Sequence, residues 1–480
     1  MAALTPAQTD RAVGVLLAAA CGDALGAGYE FGTARLDGEP RMIGGGLGNF
    51  APGEWTDDTS QAVAIAEVAA TGADLRSDDA LTAVARRFAD WYAGGPADVG
   101  IQTAAVLRRA GRTPTGAEMA AAAYKIHRQT GKSAGNGSLM RTGAVALAHL
   151  DDPEALVEAA MAASALTHHD PLAGQGCALW CLMIRHAVLH GELPKPDEVL
   201  GHLPHPDLWA VVLDEATSEP PSTFQQNGWV VGALQAAWSA VVQTPVPANQ
   251  PWRHLRDALN TAVGIGNDTD TVAAIAGALL GARWGASAVP AEWRRMLHGW
   301  PGMRGPRLVA LAHLTIGGGR PDSSGWPGVG RLEYDGFFGR QTLVPHPHDD
   351  GVWIGGVAAL DDLPAEVDAV VSLCRVGAEQ VPDGVEHVEF RLIDKGDDHN
   401  PHVDFVIDDA ARTVQAMRAE GRTVYLHCVA AQSRTPTVAT RYAALLGVPF
   451  EQALAEVVAA LPAASPNPSF RRALGRLHQT

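Results

Sequence analysis

Thr56-Asp57-Asp58-Thr59 sets two adjacent carboxylates between hydroxyls, directly before Ser60 to Ala69, whose apolar spacing predicts a helix. Far along the chain, Asp268-Thr269-Asp270-Thr271 repeats that chemistry at the head of a second apolar helix, Val272 to Trp284. Either stretch alone reads as an ordinary N-cap, its oxygens satisfying the free N–H groups of a first turn. Two copies read as halves of one oxygen-rich cation site. Hard divalent cations take such ligands, and Asp57, Asp58, Asp268 and Asp270 crowded together without a cation would have to protonate in part. Thr56 and Thr271 complete the ligand set. Two Mg²⁺ ions are expected, with Mn²⁺ equally suited to oxygen donors, and the chemistry would be the holding and polarising of substrate hydroxyls.

A second reactive pattern lies in the last third. The strand-like run Thr423-Val424-Tyr425-Leu426-His427 leads into Cys428, five residues intervene, and Arg434-Thr435 opens a helix from Pro436 to Leu446. A loop between strand and helix points N–H groups at an anion. The same field favours a Cys428 thiolate, Arg434 can fork onto phosphoryl oxygens, and Thr435 can hydrogen-bond the sulfur. Phosphate-ester chemistry is the expectation.

These residues need elements to hold them. The chain has 480 residues, long for one domain. With 47% hydrophobic and 19% charged residues it is globular. A net charge of −17 argues against general nucleic-acid or membrane-surface binding. Ala/Leu/Val segments at helical spacing (80–92, 153–166, 177–189, 228–242, 252–263) predict an all-α bundle from residue 60 to about 315, and the first domain is taken as 8–315 from the resemblance given below. A Gly/Pro/Ser linker is expected at 316–335. Strand-like runs at 352–354, 369–373, 387–393 and 423–427 alternate with helices over 336–480, predicting an α/β domain with a mostly parallel sheet. Five cysteines make no disulfide framework, and Cys177 and Cys181 read as core packing. Val13 to Cys21 resembles an export signal only faintly, lacking a basic start and interrupted by Asp23. It reads as the first core helix of a cytoplasmic protein, and no other stretch reads as long and apolar enough to span a membrane.

The paired acidic motifs resemble those of the ADP-ribosylglycohydrolases. So, in order, do Asp10-Arg11-Ala12-Val13-Gly14, Gly22-Asp23-Ala24-Leu25-Gly26 with Glu30, Gly135-Asn136-Gly137-Ser138-Leu139-Met140-Arg141, Thr167-His168 and Pro290-Ala291-Glu292-Trp293. The resemblance implies a binuclear Mg²⁺ centre that cleaves the bond between ADP-ribose and its acceptor. It implies that Asn136, Gly137, Ser138 and His168 contact the ligand, and that Glu30, in a Gly-rich and mobile-looking loop, gates or touches the metals. The Cys428–Arg434 loop resembles the signature of the tyrosine and dual-specificity phosphatases over roughly residues 345–465. That implies a general acid upstream, with Asp394 the best placed and Asp397 and Asp398 as rivals. This chain departs from the phosphatase pattern at Ala431, where glycine is usual; a left-handed backbone there would cost Ala about 1–2 kcal/mol.

The combined expectation is a bifunctional hydrolase acting on an ADP-ribosylated protein or small ADP-ribose conjugate and on a phosphate monoester. Two alternatives stand beside it: an enzyme consuming a phosphorylated ADP-ribose, and a sensor that binds ADP-ribose or phosphate without turnover.

Overall fold

The computed structural model describes residues 4–334, 342–396 and 399–478. They form two compact units, Met1–Val289 with Met296–Arg320, and Pro290–Arg295 with Pro321–Thr480.

The first unit is helical, its strands among the described residues being the two-residue pair His298–Gly299 and Met303–Arg304. At its centre is α1 (Pro6–Gly26), started by a Thr5–Gln8 capping box and buried almost all round. The acidic stretches open α2 (Asp57–Ala69) and α4 (Thr269–Trp284), and α3 (Pro171–His190) is the other long apolar helix. By length and composition both α1, with the turn after it, and α3 suffice to cross a bilayer, which corrects the sequence expectation. Both are mostly buried within the unit, and a helix apolar on every side is what a core position produces.

α1 and α4 meet through glycine. A Cβ added to Gly22 would lie 2.1 Å from the Ala273 carbonyl oxygen, one on Gly277 2.3 Å from that of Ala18, and one on Gly281 2.1 Å from that of Gly14. No side chain separates the backbones, so the acids carried by each helix come within reach of each other. After α1, Ala27–Gly32 forms a 3₁₀ turn with a kink at Glu30 and Phe31, the latter at φ +46°. Glu30 is therefore buried, in a 3₁₀ turn.

The second unit holds a five-stranded sheet of β1 (Leu343–His346), β2 (Asp349–Gly356), β3 (Ala369–Ser372), β4 (Glu386–Glu389) and β5 (Val424–Cys428), in the order β1-β2-β5-β3-β4. Only β1 with β2 is antiparallel. Helices α5 (Val403–Ala419) and α6 (Arg434–Leu445) pack against it. β4 is shorter than the run 387–393 because side chains claim the later peptide groups: Leu392 O accepts from Arg434 and Ile393 N donates to Asn400. The expected linker 316–335 is not free chain either. Its later part is fixed within the second unit: the Arg375 guanidinium lies 4.2 Å from the Trp326 ring centroid, and Leu332 N donates to Gln380.

Gly22→Ala should push α1 from α4 and cost roughly 1–3 kcal/mol, read as a lower urea midpoint together with weakened divalent-cation binding. An unchanged midpoint would show that the close contact carries no weight.

Candidate active sites

α1 presents Asp23 to the N-terminus of α2. Its Oδ1 accepts from Thr56 N (2.9 Å), and its Oδ2 accepts from Thr59 N (3.0 Å) and Thr59 Oγ1 (2.6 Å). Thr56 caps α2 and donates its hydroxyl to Asp58 Oδ2 (3.1 Å); Thr271 Oγ1, 213 residues away in sequence, donates to that same oxygen at 3.4 Å. Two carboxylate triples result, Asp23–Asp58–Asp270 and Glu30–Asp268–Asp270, each offering oxygens within 4.8 Å of one another. Asp270 belongs to both. Asp268 is steered by Asn136 Nδ2 (2.7 Å to its Oδ2) and by its own N–H, which donates to Asn227. Asp57 stands slightly apart, accepting at Oδ2 from Gln61 Nε2 (3.1 Å) and Gly100 N (3.4 Å).

Burial raises every one of these acids, and for Glu30, Asp57, Asp58 and Asp270 their mutual repulsion adds to it. Asp57 is pushed up to about 8 by burial and then by Asp98 and Asp23, and Glu30 to about 8 by burial and then by Asp268. Asp58 and Asp270 lie well above the carboxylate range for the same reasons. Asp58 Oδ1 and Asp270 Oδ1 are buried and meet no hydrogen-bond donor among the described residues. Orphaned, converging carboxylate oxygens fit a hard divalent cation.

In the second unit, Cys428 ends β5 and Arg434 begins α6. Between them Ala431 takes φ +53°, the left-handed conformation whose cost to alanine was weighed above. Arg434 Nη1 donates to Leu373 O (2.9 Å) and Leu392 O (3.2 Å), while its buried Nε finds no partner among the described residues. Thr435 differs from expectation. Its Oγ1 donates to Gly355 O (3.1 Å), so its one hydrogen goes to β2 and not to the Cys428 sulfur. Asp394 Oδ1 accepts from Asn467 Nδ2 (2.8 Å), and Asn467 N donates to Ser433 Oγ, tying this acid to the loop. Asp397 and Asp398 lie outside the described residues.

The family model "ADP-ribosylglycohydrolase" matches residues 4–322. The chain belongs to that family. An ADP-ribosylarginine hydrolase, Tri1, of Pseudomonas putida is 30% identical over 301 residues, covering 60% of this chain and 75% of the relative. The ADP-ribosyl-dinitrogen reductase glycohydrolase of Rhodospirillum rubrum is 30% identical over 293 residues, covering 60% and 90%. For the second unit, the dual specificity protein phosphatase 1 of Arabidopsis thaliana is 26% identical over 146 residues, covering 29% of this chain and 72% of that protein.

Within this ADP-ribosylglycohydrolase unit the structure unites Asp58, Asp268, Asp270, Glu30, Thr56, Thr271 and Asn136, with Asp57 at the edge. Gly137 abuts His168: a Cβ there would lie 3.1 Å from the ring. Ser138 points away, its hydroxyl accepting from Ser164 and Cys177 in the interior. Two acids escaped notice as site residues. Asp23 stood in plain view as a carboxylate inside an apolar helix, which burial forbids without partners. Asp98, half-buried and facing Asp57, sits in a loop with no local signal.

With cations stripped, the folded protein holds protons that the unfolded chain releases. Its stability should therefore fall as pH rises from roughly 4 to 8. Mg²⁺ added at pH 7 should release protons, seen as buffer-dependent heats in calorimetry, and Asp270→Asn should abolish binding at both positions. Absence of proton release would remove the buried acids from the ligand set.

Proposed function

We propose that the first unit hydrolyses the glycosidic bond between ADP-ribose and an acceptor nitrogen or oxygen, with ADP-ribosylarginine in a protein or small conjugate as the first substrate to test. The observation that carries this is Asp270, shared by two converging carboxylate triples in a chain of the ADP-ribosylglycohydrolase family. Thr56, Asp57, Asp58, Asp268, Asp270 and Thr271, with Asp23, would hold Mg²⁺ or Mn²⁺, and such cations when bound fix and polarise ribose hydroxyls. The protein's own groups do the rest. Asn136 orients Asp268, the Gly135–Gly137 turn lets the protein backbone come close to the ligand, and His168 supplies a hydrogen bond. As the anomeric C–N bond breaks and a C–O bond to water forms, water's proton passes to a carboxylate of the cluster, for which Glu30 is the candidate. The acceptor nitrogen leaves with the electron pair and takes up a proton.

The second unit is proposed to hydrolyse phosphate monoesters. Cys428 would attack phosphorus, Arg434 Nε, which has no partner among the described residues, would meet a phosphoryl oxygen, and Asp394 would protonate the leaving oxygen. Thr435 would act by fixing the loop to β2.

Asp57→Ala or EDTA should abolish ADP-ribose release from ADP-ribosylarginine, assayed chromatographically; full activity in either case would refute the metal assignment. Cys428→Ser should abolish aryl-phosphate hydrolysis while sparing glycohydrolase activity. Turnover equal to wild type would take Cys428 out of the reaction.

A further inference from the structure

Arg141 is 1% exposed, yet its hydrogen-bond partners are neutral. Its guanidinium lies 4.5 Å from the Phe88 ring centroid. One arm, Nη1, donates to Gln61 Oε1. That fixes which way the Gln61 amide faces, so that its Nε2 must donate to Asp57 Oδ2 (3.1 Å). The other arm, Nη2, donates to Thr167 Oγ1 (2.7 Å). With that oxygen already accepting, the Thr167 hydroxyl must spend its hydrogen on His168 Nδ1, 2.7 Å away. Were Nδ1 protonated, two donors would converge on Thr167 and its own hydrogen would be stranded. The His168 proton therefore sits on Nε2, the atom turned toward the Gly135–Gly137 turn. His168 stays neutral, held down to about 3 by burial and by Arg141.

We infer that Arg141 is a two-armed positioning residue: through Gln61 it directs Asp57, and through Thr167 it locks His168 as an Nε2–H donor toward bound ADP-ribose. The inference rests on the glycohydrolase reading for what His168 meets, whereas the tautomer is a property of the protein alone. Because Arg141 variants risk misfolding, the arms are tested one at a time.

Long-range ¹H–¹⁵N spectra of histidine-labelled protein should show His168 protonated at Nε2, its signal identified by loss in His168→Gln. Thr167→Val should abolish that preference and raise KM for ADP-ribosylarginine roughly fivefold, about the worth of one hydrogen bond. Thr167→Ser should restore both. Gln61→Leu should weaken Mg²⁺ binding by calorimetry and leave the tautomer as in wild type. An Nε2–H signal that survives in Thr167→Val overturns the inference, as does a pair of variants that each disturb both readouts. If wild type shows no glycohydrolase turnover, the functional reading fails while the tautomer measurement still decides the Arg141 claim.

Discussion

The direct backbone contact between α1 and α4 is the constraint on which the first unit depends. Helices usually pack with side chains between them, at axial distances of about 8–10 Å. Here Gly14, Gly22, Gly277 and Gly281 remove those side chains. The closeness brings Asp23 beside Asp270, and Gly26 stands directly against the Asp270 backbone. Small residues give little hydrophobic gain per position, so the contact is chosen for geometry. What stabilises it is the burial of the Leu, Val and Ile residues elsewhere around α1 and α4.

That geometry creates an electrostatic debt which the remaining residues answer in different ways. Asp23 is answered by donors, three hydrogen bonds from the start of α2. Asp268 is answered by one donor, Asn136 Nδ2, while Asn227 holds its backbone N–H. Asp58 and Asp270 keep oxygens that no donor among the described residues satisfies. A fold could have placed a lysine there. Instead the nearby fixed cation, Arg141, is held one residue back behind Gln61, where it biases the carboxylates without occupying their oxygens. The difference between neutralising a site and orienting it lies in that single intervening amide.

The caps were legible because an N-cap is local: residue type and position relative to an apolar run suffice to read Thr56 and the acids after it, and duplication pointed to their meeting. The helical first domain and parallel sheet followed from periodicity for the same reason. What sequence could not supply was direction. Ser138 and Thr435 each carry one hydroxyl, and its partners are neighbours remote in the chain: Ser138 Oγ accepts from Ser164 and Cys177, while Thr435 Oγ1 donates to Gly355 O. Composition likewise could not show that Trp326, inside the expected linker 316–335, lies against Arg375.

Ala431 shows how a local rule can be broken at small net cost. Its left-handed backbone carries a penalty of about 1–2 kcal/mol for any residue with a Cβ. Yet the methyl is 1% exposed and forms part of the apolar cluster beneath the sheet, with Ile354, Val438 and Ala439. Burying one such group returns about 0.8 kcal/mol, and glycine at this position would lose that contact and about 0.5–1 kcal/mol more in chain entropy. The two alternatives nearly balance. An alanine is therefore compatible with a formed anion loop, and the loop's shape rests on burial where a glycine would have rested on conformational freedom.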